Sequence, residues 1–83
     1  MSLSQTFREA FDGFGWELLE GIRAKANERI SDAEFEERII GIEKATAAML
    51  EAEVDEETII KMLQKHWDLR LSEATAFIEN AKS

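Results

Sequence analysis

The stretch Ile30-Ser31-Asp32-Ala33-Glu34-Phe35 constrains this chain more than any other. Ser31 and Glu34 have the S-x-x-E spacing of a capping box, in which the hydroxyl accepts from the Glu34 backbone N–H and the carboxylate reaches back to the N–H of Ser31. Ile30, just before the cap, and Phe35, four positions beyond it, are spaced to close as a hydrophobic staple, which sets the angle at which the preceding chain arrives. A helix starts at this point, and whatever precedes it is delivered onto its apolar face. The expectation is a helical hairpin.

The apolar residues on either side agree with that. Leu3, Phe7, Phe11, Phe14, Leu18 and Ile22 recur at steps of three and four and fall on one side of a helix. Ser4 is a candidate cap for its start, and Asn27-Glu28-Arg29 is the expected turn, since Asn tolerates the left-handed conformation that ends helices. One helix, bent or continuous, is expected from about Ser4 to Asn27. Gly13 and Gly15 interrupt it, and each costs about 1 kcal/mol against Ala in a helix interior, so a kink or break between Asp12 and Gly15 is the alternative. On a continuous helix Trp16 points away from the main stripe, with Leu19 and Ala26 nearer its side, and the helix then has two apolar sides that need cover. If the glycines re-aim the turn, Trp16 joins the core instead.

The second helix is expected from Asp32 to about Ala52, with Phe35, Ile39, Ile42, Thr46 and Met49 on its core face. Glu37, Lys44 and Glu51 mark the solvated side. Gly41, Ala45, Ala48 and Ala52 form a small-residue stripe beside the core, where another helix can approach closely. Val54 to Ile59 repeats the start signal, with Asp55 as cap and Glu56 and Glu57 at the positive end of the dipole. A third helix is expected to about Trp67, burying Ile59, Ile60, Leu63 and Trp67; after a break at 68–71, Ser72 is expected to cap a fourth whose apolar face is Ala74, Phe77, Ile78 and Ala81. The 83 residues read as one all-α domain, a small helical bundle made of a long antiparallel helical hairpin followed by two shorter helices, at about 4–27, 32–52, 55–67 and 72–81. The absence of proline and the abundance of Ala, Leu, Ile, Glu and Lys favour the same class.

Charge and composition exclude several functions. Without Cys there is no disulfide, thiolate metal site or thiol nucleophile, and the single His66 cannot build a zinc cluster. No cofactor is expected. His66 lies beside Asp68, but no Ser or Thr is spaced to serve as its nucleophile, and an imidazole in a helix's last turn has a role with the dipole. The carboxylates make no calcium loop, no glycine-rich phosphate cradle is present, and the Glu-x-x-His spacing of carboxylate-bridged metal bundles fails because Leu63 stands three residues before His66. An enzyme is not expected. No apolar run reaches the ~20 residues of a membrane span, and the amino terminus has no basic, then apolar, leader pattern, so a cytoplasmic location is expected.

The formal net charge is −8, and the segment 31–54 alone carries seven acids against Arg38 and Lys44, a net of −5. Such a chain gains nothing from phosphate neutralisation, so nucleic acid and anionic membrane are disfavoured and a basic protein surface is the natural partner; a solubilising role is the plainer explanation. Residues 55–81 have the outline of a helix-turn-helix, but the second helix of that pair is expected to expose Glu73, Thr75, Glu79 and Asn80, with Lys82 the only cation, where a DNA-reading helix offers Arg, Lys, Asn or Gln to base edges and phosphates.

Two families of similar size and charge bear comparison. Acyl carrier proteins are acidic four-helix domains, but their Asp-Ser-Leu phosphopantetheine site is missing, the helix-start serines here being Leu3-Ser4-Gln5, Ile30-Ser31-Asp32 and Leu71-Ser72-Glu73. The segment Ile30 to Phe35 resembles the early part of the colicin immunity proteins, whose toxin-binding tyrosine pair has no counterpart in a chain without Tyr. Neither family is assigned. The expected function is a small acidic protein-interaction module without catalysis, self-associating as a homodimer through Trp16 and Leu19, with Glu37 and Glu51 as docking acids. An acidic regulator of antitoxin or inhibitor type that binds a basic protein is the second expectation, and a helix-turn-helix DNA-binding module the third.

Overall fold

The capping box at Ser31 forms and starts the longest helix. The computed structural model describes residues 5–11, 13–26 and 30–82, without the side chains of Ala10, Trp16 and Ala26. Leu3, the expected Ser4 cap and the expected turn at Asn27-Glu28-Arg29 lie outside those residues. Among the described residues there are five helices and no strand: α1 Gln5–Ala10, α2 Trp16–Ala26, α3 Asp32–Glu51, α4 Glu56–Trp67 and α5 Leu71–Lys82. The all-α class follows directly.

At the start of α3 the Glu34 N–H donates to Ser31 Oγ at 3.2 Å, and the Ser31 hydroxyl donates to Glu34 Oε1 at 3.0 Å. The carboxylate thus closes on the hydroxyl of the cap residue. Ile30 packs against the core that holds the fully buried Phe35, as a staple requires. Asp55 caps α4 in the same manner, its carboxylate accepting from the Thr58 N–H at 3.1 Å and from the Thr58 hydroxyl at 2.7 Å. Between these helices the chain reverses through a Schellman pattern: the Val54 N–H donates to the Met49 carbonyl and the Glu53 N–H to the Leu50 carbonyl, with Glu53 in the left-handed conformation at φ 60°.

The first helical region breaks. The stretch expected as one helix over about 4–27 is two, α1 and α2, because Gly15 takes φ +99°, a conformation no helix interior contains and few side chains adopt. The Phe14 N–H donates to the Phe11 carbonyl at 3.1 Å to make the turn, and the Gly15 carbonyl accepts from Leu19 N–H at 3.3 Å to begin α2. The break shifts the helical phase, and this corrects the expected stripe. Leu18 is only partly buried, and Leu19, expected on a second, outward side, is 2% exposed inside the core.

One core runs through all of this. Phe7 and Phe11 pack ring to ring at 4.8 Å; Phe7 reaches Phe35 at 6.5 Å, and Phe14 reaches Phe77 at 4.7 Å, so α1 and the turn after it are fastened onto α3 and α5 by aromatic pairs. Helices α3, α4 and α5 pack against one another, around Ile39, Ile42, Ile59, Leu63, Phe77 and Ile78. Thr46, the polar residue on the α3 core face, donates its hydroxyl to the Ile42 carbonyl at 2.8 Å and is satisfied without a tertiary partner.

Two further corrections concern α5. It starts at Leu71, so Arg70 and not Ser72 holds the capping position, and Glu73, expected on the exposed side, is 1% exposed. Its Oε1 accepts from the Arg70 N–H at 2.8 Å, which is the reach-back half of a capping box, and lies 3.6 Å from Lys25 Nζ of α2. Lys25 also donates to the Asp68 carbonyl at 3.0 Å, and Asp68 closes α4 in the left-handed conformation at φ 54°. The buried carboxylate is thus paired with a cation and with a backbone donor, which a charge away from water needs. Leu69, in the connection between α4 and α5, is a core residue that the break in periodicity concealed.

Candidate functional site

Of the four residues expected to form an interface, the side chains of Leu19, Glu37 and Glu51 are described. The side chain of Trp16 lies outside the described residues, while Leu19 is in the core and offers no surface to a second chain. Glu37 and Glu51 are exposed on α3. The expected small-residue stripe divides: Gly41 is where Trp67 of α4 comes close, a Cβ added there standing 3.8 Å from the Trp67 ring, whereas Ala48 and Ala52 are exposed. Arg38 of α3 also meets Trp67, its guanidinium 5.7 Å from the ring centre and donating to the Trp67 carbonyl at 3.4 Å.

What α3 does bring together lies on its two flanks. On the α4 side an apolar hollow of about 210 Å³ is lined by Ala45, Met49, Met62, Leu63, His66 and Trp67. On the α5 side a trough of about 430 Å³ has Phe11, Ile40, Ala47 and Ala81 as its apolar lining and Glu43, Lys44 and Asn80 as its charged and polar groups. A neighbouring hollow of about 340 Å³, lined by Gly13, Phe14, Ala76 and Glu79, shares Asn80 with the trough.

Glu43 gives this trough its chemistry. It is half-buried, and burial pushes its carboxyl above the ordinary range, an effect opposed by a hydrogen bond from the Asn80 side chain. Its Oε2 is excluded from solvent and has no hydrogen-bond partner among the described residues. A carboxylate oxygen in that position is costly to the folded chain, and a donor reaches it only if the side chains around it move. Ile40, 38% exposed on the same flank, is the apolar counterpart.

Neither residue stood out in the sequence, although a signal exists. Ile39 and Ile40 are adjacent, and a single helical stripe buries one of two adjacent residues, so the second marks another flank; Ala47 follows Ile40 by seven positions and repeats it. Among the described residues no group of three or more His, Cys, Asp or Glu is arranged to hold a metal, and no helix is long and apolar enough to cross a membrane. Comparison with protein-family models, with curated proteins and with solved structures finds no match.

Proposed function

We propose that this chain is a small acidic protein-interaction module, one that docks another protein on α3 and carries out no reaction of its own. The observation that supports this is the α5-side flank of α3, where Ile40 and Ala47 are left exposed beside a half-buried acid. Ile40 is 38% exposed, and apolar surface left on the outside of this helix gains burial energy when a partner covers it. Glu37 and Glu51 extend the acidic surface along the outward side of the same helix. With Leu19 in the core, the first-helix dimer loses one of its two apolar contacts, and the regulator of a basic protein becomes the stronger form of the proposal. The helix-turn-helix alternative is weaker still, because Lys82, the cation of α5, is 2.7 Å from Glu56 and engaged there.

The test is capture from a lysate of the source cells with the wild-type chain, with Ile40→Asp, and with Lys65→Glu as a surface control, alongside sedimentation of the purified chain over a range of concentrations. A protein retained by wild type and control but lost with Ile40→Asp is the expected outcome. A chain that sediments as a monomer at every concentration and retains the same proteins as Ile40→Asp would refute the proposal.

A further inference from the structure

We propose that Met62 is a site of oxidation by hydroperoxides, and that its sulfoxide turns the apolar hollow between α3 and α4 polar while the fold is kept. This goes beyond the proposed function, because the hollow lies on the other flank of α3 from Ile40 and Ala47.

Three observations select Met62. The first is exposure. The chain contains no Cys, so its thioethers are the sulfur atoms that a peroxide meets. Of its three methionines, Met1 lies outside the described residues, Met49 packs against the core, and Met62 is 42% exposed. Oxidation follows exposure, because the peroxide has to reach a lone pair on the sulfur.

The second is where the product stands. Its neighbour Leu63 is fully buried, so α4 turns Leu63 into the core and leaves Met62 on the rim of the hollow. A sulfoxide dipole on the rim keeps its water, whereas one formed at Met49 is carried against the core and loses it. The third is His66. It follows Met62 by four positions, is exposed and lines the same hollow, so its imidazole N–H is placed to donate to the sulfoxide oxygen. A thioether is at most a weak acceptor, and that bond is therefore gained on oxidation.

In the step itself a lone pair of the Met62 sulfur attacks the terminal oxygen of the hydroperoxide. An S–O bond forms as the O–O bond breaks, and the sulfur gives up two electrons to the peroxide. The leaving alkoxide takes the hydroperoxide's own proton through water and departs as an alcohol, or as water when the oxidant is hydrogen peroxide. What remains is a polar group beside Ala45, Met49 and Trp67, the residues that make the rest of the hollow apolar together with Leu63.

Hydrogen peroxide is the probe, applied to the full, isotopically labelled chain. Peptide mapping by mass spectrometry follows the sulfoxide at each methionine, while amide resonances and the Trp67 indole resonance report on the hollow. Met62 is expected to oxidise at least about threefold faster than Met49, in keeping with their exposure. As it does, the resonances of Ala45, His66 and Trp67 should move, those of Ile40 and Ala47 should stay, and circular dichroism should be unchanged. Met62→Leu keeps the apolar bulk without the sulfur, and its hollow resonances should not move over the same time. Oxidation of Met49 as fast as Met62 would overturn the proposal, as would loss of helical signal in step with Met62 oxidation. So would a Trp67 resonance that stays in place when Met62 is fully oxidised, or one that moves in the Met62→Leu chain.

Discussion

Ser31 and Glu43 are the residues whose single atoms decide most. Ser31 Oγ accepts from the Glu34 N–H in the first turn of α3, and the Glu34 carboxylate holds the hydroxyl in place. Ser31→Ala removes both contacts and should lower stability by about 1 kcal/mol in a urea melt, while Ser31→Asp, which keeps an acceptor at the cap, should lose less. Glu43 has the opposite balance. Its carboxyl ordinarily titrates near 4.5 and is raised by burial, so the folded chain holds that proton more tightly than the unfolded chain. Stability contributed by this group is therefore greatest in acid and falls as pH rises from the ordinary value through the raised one. Glu43→Gln, which cannot ionise, should melt at a higher temperature than wild type at neutral pH, with the difference closing as the pH is lowered. A difference that does not vary with pH would show that Glu43 is not desolvated in the folded chain. Asp55 runs the other way: its bonds from Thr58 lower its carboxyl, and its contribution is present above the ordinary value and lost in stronger acid.

At the scale of elements, the contrast between α3 and the α1–α2 region explains what could be read in the sequence. Both starts, at Ser31 and Asp55, were legible because a cap is a local signal: an acceptor three residues before an N–H it can reach, followed by an apolar period. The break at Gly15 was legible only as an alternative, since two glycines weaken a helix without saying which of them leaves it. Everything after the break inherited that ambiguity, because a change of helical phase exchanges neighbours, and Leu18 and Leu19 traded places between core and margin. Glu73 was hidden for another reason. A buried carboxylate requires a partner, and Lys25 comes from a helix far away in sequence, so no local pattern announces the pair. The trough follows the same rule, being built from Phe11, Ile40 and Ala81, which only the packed structure brings together. The two glycines can be separated by experiment. A Cβ added at Gly13 meets nothing within 4 Å, whereas Gly15 has φ +99° and is strained by any side chain despite having room for one. Gly13→Ala should be neutral or stabilising by a few tenths of a kcal/mol, and Gly15→Ala should cost about 1–2 kcal/mol. Equal effects in a thermal melt would mean that the chain does not turn at Gly15.

At the scale of the whole molecule, the excess of acids sets two responses to salt that run in opposite directions. A domain with a net charge of −8 repels itself, and the ion pairs that offset this differ in kind. Lys61–Glu57 at 3.6 Å and Lys82–Glu56 at 2.7 Å are solvent-exposed and contribute little, because water and salt screen them. Arg23–Asp32 at 2.6 Å is part-buried and further anchored, since Arg23 also donates to the Ile30 carbonyl at 2.8 Å and lies 5.3 Å from the Phe35 ring centre. Lys25–Glu73 has its carboxylate in the core. Salt screens long-range repulsion among exposed acids more strongly than it screens pairs shielded by protein, because the Debye length shrinks to about 8 Å at physiological ionic strength while short, sheltered contacts stay within it. Raising NaCl from a low concentration to a physiological one should therefore raise the melting temperature of the isolated chain. The same change should slow association with a basic partner, since the steering that accelerates encounter is the field being screened. A melting temperature that falls with salt would show that the ion pairs outweigh the net repulsion. Association rates that ignore salt would assign the acidity to solubility alone and leave Ile40 and its apolar neighbours to carry recognition by themselves.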